Sequence, residues 1–204
     1  MALRDEERAR RCRRKAHLSS LRWLLSLMLL AALAAAAGAA RADQTDKALD
    51  ALFAELQTTK DAARGETLTR RIWEIWLEPR DERAEAPLAK GVDEMSEGDY
   101  DAALADFDRL VELAPGFAEG WNRRATLRYL MDDLDGSVSD IERTLVLEPR
   151  HFGALSGLGL IYMKLGKDAA ALEVFHRALA LDPFLSGVKE NIDKLERGLK
   201  GEPL

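Results

Sequence analysis

Apolar residues recur along the chain at intervals of three and four, the spacing that places them on one face of a helix. The first stripe is Leu49, Leu52, Phe53 and Leu56, and the second is Leu68, Ile72, Ile75 and Trp76. A stripe near the end of the chain is Val188, Ile192, Leu195 and Leu199. Since no segment alternates apolar and polar residues as a half-buried strand does, the pattern predicts an all-α protein.

Between these stripes the pattern repeats every 34 residues. Each period ends at a proline, and the three are Pro115, Pro149 and Pro183. Three further positions keep the same register. One position always holds a small residue, Gly91, Ala125 and Gly159, and a second does the same with Ala103, Ser137 and Ala171. The third position always holds a bulky residue, Phe107, Ile141 and Phe175. Each period predicts two close helices, the second ended by proline. Because one pair cannot bury its own apolar face, stacking supplies the core.

The period resembles the tetratricopeptide repeat (TPR), whose pattern is W-x2-L-G-x2-Y, A-x3-F and P. The third period matches best, through Leu158, Gly159, Tyr162, Ala171, Phe175 and Pro183. The second departs from the pattern at Ser137 and Ile141, and the first has Pro87 where the tryptophan is expected. The resemblance covers 84–185 and implies a TPR α-solenoid of antiparallel helical hairpins, with repeats at 84–117, 118–151 and 152–185.

The flanking segments predict further helices. Residues 43–83 form a predicted N-terminal helical hairpin, interpreted as a degenerate repeat because Leu77-Glu78-Pro79 resembles the ends of the later periods. Residues 186–204 are interpreted as a capping helix and tail, which repeat stacks need at their ends.

Residues 1–42 have the features of a signal peptide. A basic stretch is followed by 15 uncharged residues, Trp23–Ala37, and by Ala40-Arg41-Ala42, where a signal peptidase would cut. This core is shorter than the roughly 20 residues that span a bilayer, although counting from Leu21 to Ala40 gives 20 with Arg22 inside. These features predict an exported protein located in the periplasm, and a retained leader that acts as a membrane anchor is the alternative.

Charge and composition restrict the classes of function that this protein can have. Residues 43–204 contain 21 Lys and Arg and 33 Asp and Glu, a net charge of −12. Because an acidic surface repels phosphate, nucleic acid is not an expected partner. His151 and His176 have no metal-ligand spacing, and no catalytic motif is present. We therefore expect no enzyme activity, no cofactor and no metal.

The TPR resemblance implies a concave groove lined by the first helix of each hairpin. The candidate partner-binding residues are Leu88, Val92, Met95, Asn122, Thr126, Tyr129, Leu130, Ser156, Leu160 and Met163. Methionines and an aromatic side chain would make this surface adaptable and apolar, although core packing is an equal alternative for each apolar residue. Some TPR proteins clamp a C-terminal carboxylate with groove Lys and Asn, and this sequence does not reproduce that clamp.

A basic cluster, Arg123, Arg124 and Arg128, has two interpretations: it binds an acidic motif, or it pairs with nearby carboxylates such as Glu119 and Asp133. The predicted function is a non-catalytic adaptor for a peptide or helix of another protein. The alternative is an envelope scaffold or oligomerising structural protein, with the membrane as a partner only if the leader is kept.

Overall fold

Helices form the fold of residues 47–200, the part of the chain that the computed structural model describes. These residues belong to a unit of residues 41–204, and the predicted leader lies outside the described residues. The helices of this part are α1 (Lys47–Leu56), α2 (Ala62–Trp76), α3 (Glu82–Glu97), α4 (Tyr100–Leu113), α5 (Ala118–Leu130), α6 (Leu134–Leu147), α7 (Phe152–Lys164), α8 (Asp168–Leu181) and α9 (Ser186–Leu199). Since residues 47–200 contain no strand, the all-α prediction is confirmed. Within the same range no helix has the length and apolar character to cross a membrane.

The turn inside each repeated pair contains one residue with a positive φ. Gly98 (φ 83°), Asp132 (φ 66°) and Gly166 (φ 67°) hold this position, 34 residues apart. Glycine adopts this conformation without steric cost, and aspartate tolerates it better than most residues. Gly136 lies inside α6, where its N–H donates to the capping side chain of Asp133 at 3.0 Å.

Within each pair, a small residue on the first helix makes room for a bulky one on the second. A Cβ added at Gly159 would overlap the ring of Phe175, which is completely buried. In the second pair Ser137 replaces the usual alanine, and its buried hydroxyl donates to the carbonyl of Ala125 at 2.8 Å. The substitution is accommodated because the buried hydroxyl is hydrogen-bonded.

The interface between the first and second pairs carries an ion-pair network beside an apolar cluster. Arg124 on α5 donates to both oxygens of Asp140 on α6, at 2.7 and 2.9 Å, and to Asp108 on α4 at 2.7 Å. Arg128 donates to the same Asp140 at 2.9 Å. One period later the interface is apolar. The residues at the positions of Arg124, Arg128 and Asp140 there are Leu158, Tyr162 and Val174.

The N-terminal hairpin, α1 and α2, does not stack on α3 as the predicted degenerate repeat would. Its apolar residues pack instead against Phe152, at the start of α7, and against residues 181–185, which include the end of α8. Two polar contacts join the same surfaces. Arg150 donates to Asp50 at 2.7 Å, and the Thr69 hydroxyl donates to Asp182 at 2.7 Å.

The surface of α3 gives a physical reason for this difference. Lys90 and Glu94 occupy the positions that Arg124 and Arg128 hold one period later, where α5 faces the preceding pair. Lys90 bonds to Asp106 at 2.5 Å and pairs with Glu94 at 2.9 Å. A hairpin stacked here would have to bury these charges, and the buried stripe of α2 offers no carboxylate of the kind that Asp108 supplies to Arg124.

Helix α9 ends the stack with a polar surface. Val188, Ile192 and Leu195 are buried in a cluster with Phe175 of α8. Leu199, predicted to continue this stripe, is 62% exposed. The charged residues of α9 remain exposed, as a terminal cap requires, so the cap helix is confirmed. The predicted boundaries between the leader, the N-terminal hairpin, the three repeats and the cap, at residues 42, 83, 117, 151 and 185, remain predictions.

Candidate partner-binding groove

The ten residues predicted to line the groove all lie on the first helices of the three repeated pairs. Helix α3 carries Leu88, Val92 and Met95, helix α5 carries Asn122, Thr126, Tyr129 and Leu130, and helix α7 carries Ser156, Leu160 and Met163. Their exposure differs from pair to pair. The groove therefore contains an open part and a part that is already packed.

An apolar strip on α5 and α7 is open to solvent. Leu130 is 48% exposed and Leu160 is 37% exposed, while Tyr129 and Met163 are half-buried. The Nζ of Lys164 lies 5.2 Å from the centre of the Tyr129 ring, so the ends of α5 and α7 meet here. We call these four residues, Tyr129, Leu130, Leu160 and Met163, the open strip.

The residues predicted on α3 pack into the core. Leu88 is only 9% exposed, and it belongs to a cluster with Phe107 and Leu127. Val92 and Met95 are half-buried and pack against the same cluster. Leu88 therefore belongs to the core, whereas Val92 and Met95 pack against it and keep part of their surface exposed.

The polar residues of the predicted groove use their donors inside the protein. The Asn122 amide donates to Glu119 at 2.9 Å, and the Thr126 hydroxyl donates to the Asn122 carbonyl at 2.9 Å. The Ser156 hydroxyl donates to the carbonyl of Phe152 at 2.7 Å. One N–H of Asn122 and the two hydroxyl protons are therefore used within the protein, while the side-chain oxygens of these residues can still accept hydrogen bonds.

A buried carboxylate, Glu119, organises the beginning of α5. Its side chain is 1% exposed, and it contacts the Asn122 amide, the Arg123 guanidinium at 2.6 Å and the His151 ring at 3.0 Å. Such a buried acid is stable only when it is paired and hydrogen-bonded. Local sequence pattern does not predict this cluster, because Glu119 and His151 are 32 residues apart.

His151, which has no metal-ligand spacing in the sequence, is completely buried. Its Nδ1 accepts the N–H of Ala154 at 3.0 Å and so caps α7. The proton of the neutral ring therefore lies on Nε2, which donates to Glu119 at 3.0 Å. Trp76 of the N-terminal hairpin stacks on the ring at 4.3 Å, so His151 connects the hairpin to the repeats.

The basic cluster pairs internally. Arg123 contacts Glu119, while Arg124 and Arg128 share the buried carboxylate of Asp140. Burial lowers the pKa of Arg124, but the hydrogen bonds and charges of Asp140 and Asp108 outweigh it and hold that pKa above its usual value. These pairs favour the internal interpretation of the cluster over recognition of an acidic motif.

Comparisons with known proteins place these helices in a family. Models of the tetratricopeptide repeat match residues 88–138 and 152–185. A TPR repeat-containing protein of Rhizobium etli is 35% identical over 154 residues, which is 75% of each chain. The Hsp70-Hsp90 organizing protein of Triticum aestivum is 27% identical over 120 residues, which cover 59% of this chain but only 21% of that protein.

Solved structures agree on the fold. The first TPR of Spaghetti (RPAP3), bound to the HSP90 peptide SRMEEVD, has a TM-score of 0.56 at 21% identity and covers 59% of this chain and 96% of its own. The crystal structure of MamA has a TM-score of 0.54 at 18% identity and covers 68% of this chain and 80% of its own. The TPR fold is typically a non-catalytic scaffold for protein interactions. Through the Rhizobium relative and the two matched segments, this chain belongs to the tetratricopeptide-repeat family.

Proposed function

We propose that this protein is an exported, non-catalytic TPR adaptor that binds an apolar peptide segment or an amphipathic helix of a partner protein. The open strip carries this proposal. Leu130 and Leu160 expose 48% and 37% of their surface on neighbouring first helices. Exposed apolar residues on one predicted groove are typical of interaction sites, and covering them with a partner is favourable.

Related structures support a polypeptide ligand. The TPR of Spaghetti is bound to an HSP90 peptide, and a TPR2B domain of yeast Sti1 is in complex with pHsp70. In this chain Leu88 and Val92 lie on the first pair and the Asn122 amide donates to Glu119, so the groove does not reproduce a clamp of Lys and Asn for a carboxylate. Together with the acidic net charge, this favours an apolar ligand over an acidic peptide terminus.

The groove proposal predicts a loss of binding when charge enters the open strip. The partner would first be isolated by crosslinking to the purified chain in envelope extract. Replacing Leu130 and Leu160 together by aspartate should then weaken its binding at least 30-fold, about 2 kcal/mol, because the apolar contact is lost and a charge is desolvated. Calorimetry with the isolated partner measures this change, and circular dichroism checks that helicity is retained.

Val146→Asp is the matched control. Val146 is 71% exposed, more than either leucine, and lies on α6, a second helix. Its replacement should leave the dissociation constant within twofold of the parent. Loss of binding in the Val146 variant with none in the leucine variant would move the site to the second helices. Tight binding of the acidic peptide SRMEEVD would contradict the apolar ligand.

Export is the second part of the proposal, and it predicts cleavage after Ala42. Basic residues, an apolar core and Ala40-Arg41-Ala42 together support a cleavable leader. Mass spectrometry of the periplasmic fraction should give a chain that begins at Asp43. Recovery of a chain that keeps Trp23–Ala37 in the membrane fraction would instead support the envelope scaffold anchored by its leader.

A further inference from the structure

A cleft lies between α2 and the loop that follows α8. Its volume is about 310 Å³, and it is lined by Glu66, Thr69, Arg70, Trp73 and Phe184. Two aromatic side chains therefore face one small open space at the surface of the N-terminal hairpin. Neither the stacking of the repeats nor the open strip accounts for it.

The Trp73 wall is held in place by other aromatic rings. Trp73 meets Trp76, His151 and Phe152 edge to face, with ring centres 5.4, 5.5 and 5.5 Å away. Trp73 nevertheless remains only half-buried. The indole is thus fixed on several sides while part of its surface stays available to a ligand.

The Phe184 wall is also fixed. Its N–H donates to Asp182 at 2.9 Å, and the other oxygen of Asp182 accepts the Thr69 hydroxyl at 2.7 Å. The ring lies so close to Gly65 that any added Cβ there would overlap it. A cleft with both walls fixed before binding loses little conformational entropy when it is filled.

The rim offers one donor and one acceptor. Glu66 and Arg70 lie one turn apart on α2, both are exposed, and neither forms an ion pair within residues 47–200. The nearby Arg71, by contrast, pairs with Glu74 at 2.8 Å. Since the two unpaired rim charges cancel, they suit a neutral ligand that carries both an N–H and a carbonyl.

We propose that this cleft is an anchor pocket for one aromatic side chain of the polypeptide partner. The ring packs against Trp73 and Phe184, the carbonyl of the same residue accepts from Arg70, and its N–H donates to Glu66. A volume of about 310 Å³ holds one aromatic residue and little more. The inference rests on the proposed function in that it takes the ligand to be a polypeptide.

The cleft is within reach of the open strip. Trp73 lies against Gly153, where an added Cβ would be 2.6 Å from the indole. Gly153 and Leu160 are on the same helix, seven residues and roughly 10 Å apart. Since an extended chain covers such a distance in three to four residues, one peptide can occupy both places.

A minimal probe, N-acetyl-L-phenylalaninamide, tests the pocket in the full chain. Its side chain supplies the ring, and its two amides supply the N–H and the carbonyl. We expect a saturable shift of the Trp73 indole resonance, with a Kd in the millimolar range that suits so small a ligand. N-acetyl-L-alaninamide, which lacks the ring, should give no saturable shift at Trp73.

Two substitutions define the site, and a third is their control. Phe184→Ala removes one wall, and Arg70→Gln removes the guanidinium donor without touching the core. Each should weaken the probe at least fivefold, whereas Arg71→Gln should have no effect. Three results would contradict the proposed pocket. They are a shift that does not saturate, equal shifts from both probes, and equal effects of the Arg70 and Arg71 variants on binding of the probe.

Failure of this inference can be distinguished from failure of the proposed function. If the Leu130 and Leu160 variant loses the partner while the Arg70 and Phe184 variants bind it as the parent does, the anchor is wrong and the groove stands. If the Arg70 and Phe184 variants lose the partner while the leucine variant does not, the pocket stands and the groove proposal fails.

Discussion

Replacing Arg124 with alanine is expected to destabilise the fold by about 3 kcal/mol, because it breaks a buried ion pair and leaves a carboxylate without its main partner. Arg124 has a side chain only 12% exposed, and Asp140 is 2% exposed. Arg128 remains beside Asp140 at 2.9 Å, which limits the loss. Urea unfolding followed by circular dichroism measures the change in the free energy of unfolding.

The comparison variant is Arg64→Ala. Arg64 pairs with Glu55 at 2.6 Å, but the two side chains are 50% and 45% exposed. Removing such a surface pair should leave the free energy of unfolding nearly unchanged. Similar losses from the Arg64 and Arg124 variants would show that the buried network contributes no more than a surface ion pair.

The third repeat suggests how the polar interface can be rescued. Leucine, tyrosine and valine occupy there the positions of Arg124, Arg128 and Asp140. The combined change Arg124→Leu, Arg128→Tyr and Asp140→Val should lose less stability than Arg124→Ala alone, since no buried charge remains unpaired. A combined variant less stable than the single one would show that the charges, rather than apolar packing, stabilise this part of the second pair.

Replacing Phe175 with alanine should cost about 3–5 kcal/mol, the range found for fully buried phenylalanines. Phe175 is 0% exposed and fills the space that Gly159 leaves open between α7 and α8. The cavity also adjoins Val188 and Ile192 of the cap, so both α8 and α9 lose packing. The melting temperature and the urea midpoint of the variant should both fall.

Val146→Ala serves as the control for this prediction. Val146 is 71% exposed, so its truncation should change the free energy of unfolding by no more than about 0.5 kcal/mol. Ala171→Leu tests the small position of the same pair. Ala171 is completely buried, and the added volume should cost about 1–3 kcal/mol. If the Phe175 and Ala171 variants both unfold like the parent, the small and bulky positions have been assigned to the wrong register.

The repeats are determined locally, and the sequence predicts them well. Each period places glycine or alanine on its first helix opposite phenylalanine or isoleucine on its second, and it ends at a proline that recurs every 34 residues. This pattern specifies a close pair of helices without knowledge of the rest of the chain. Asp132 takes the turn position that glycine holds in the other two pairs, and it adopts the same positive φ because aspartate tolerates this conformation better than most residues. The ends of the helices follow from the same short-range signals.

The candidate groove is predicted only in part. Helical periodicity places all ten residues on first helices, but it cannot say which of them neighbouring helices cover. Leu88 is 9% exposed and Leu130 is 48% exposed, although both are leucines on the same type of helix. Burial depends on which residues of other elements lie opposite, and this is a property of the assembled structure.

Only the tertiary structure decided where the N-terminal hairpin docks. Its apolar stripes determined that α1 and α2 are helices with faces to bury, and that much is in the sequence. Its partners are about 100 residues away, with Asp50 on Arg150 and Thr69 on Asp182. The charges of Lys90 and Asp106 disfavour stacking on α3, while Phe152 and His151 offer an aromatic surface to Trp76. Local pattern fixed the helices because hydrogen bonds within a helix reach four residues, whereas their packing depends on which distant surfaces can exclude water together.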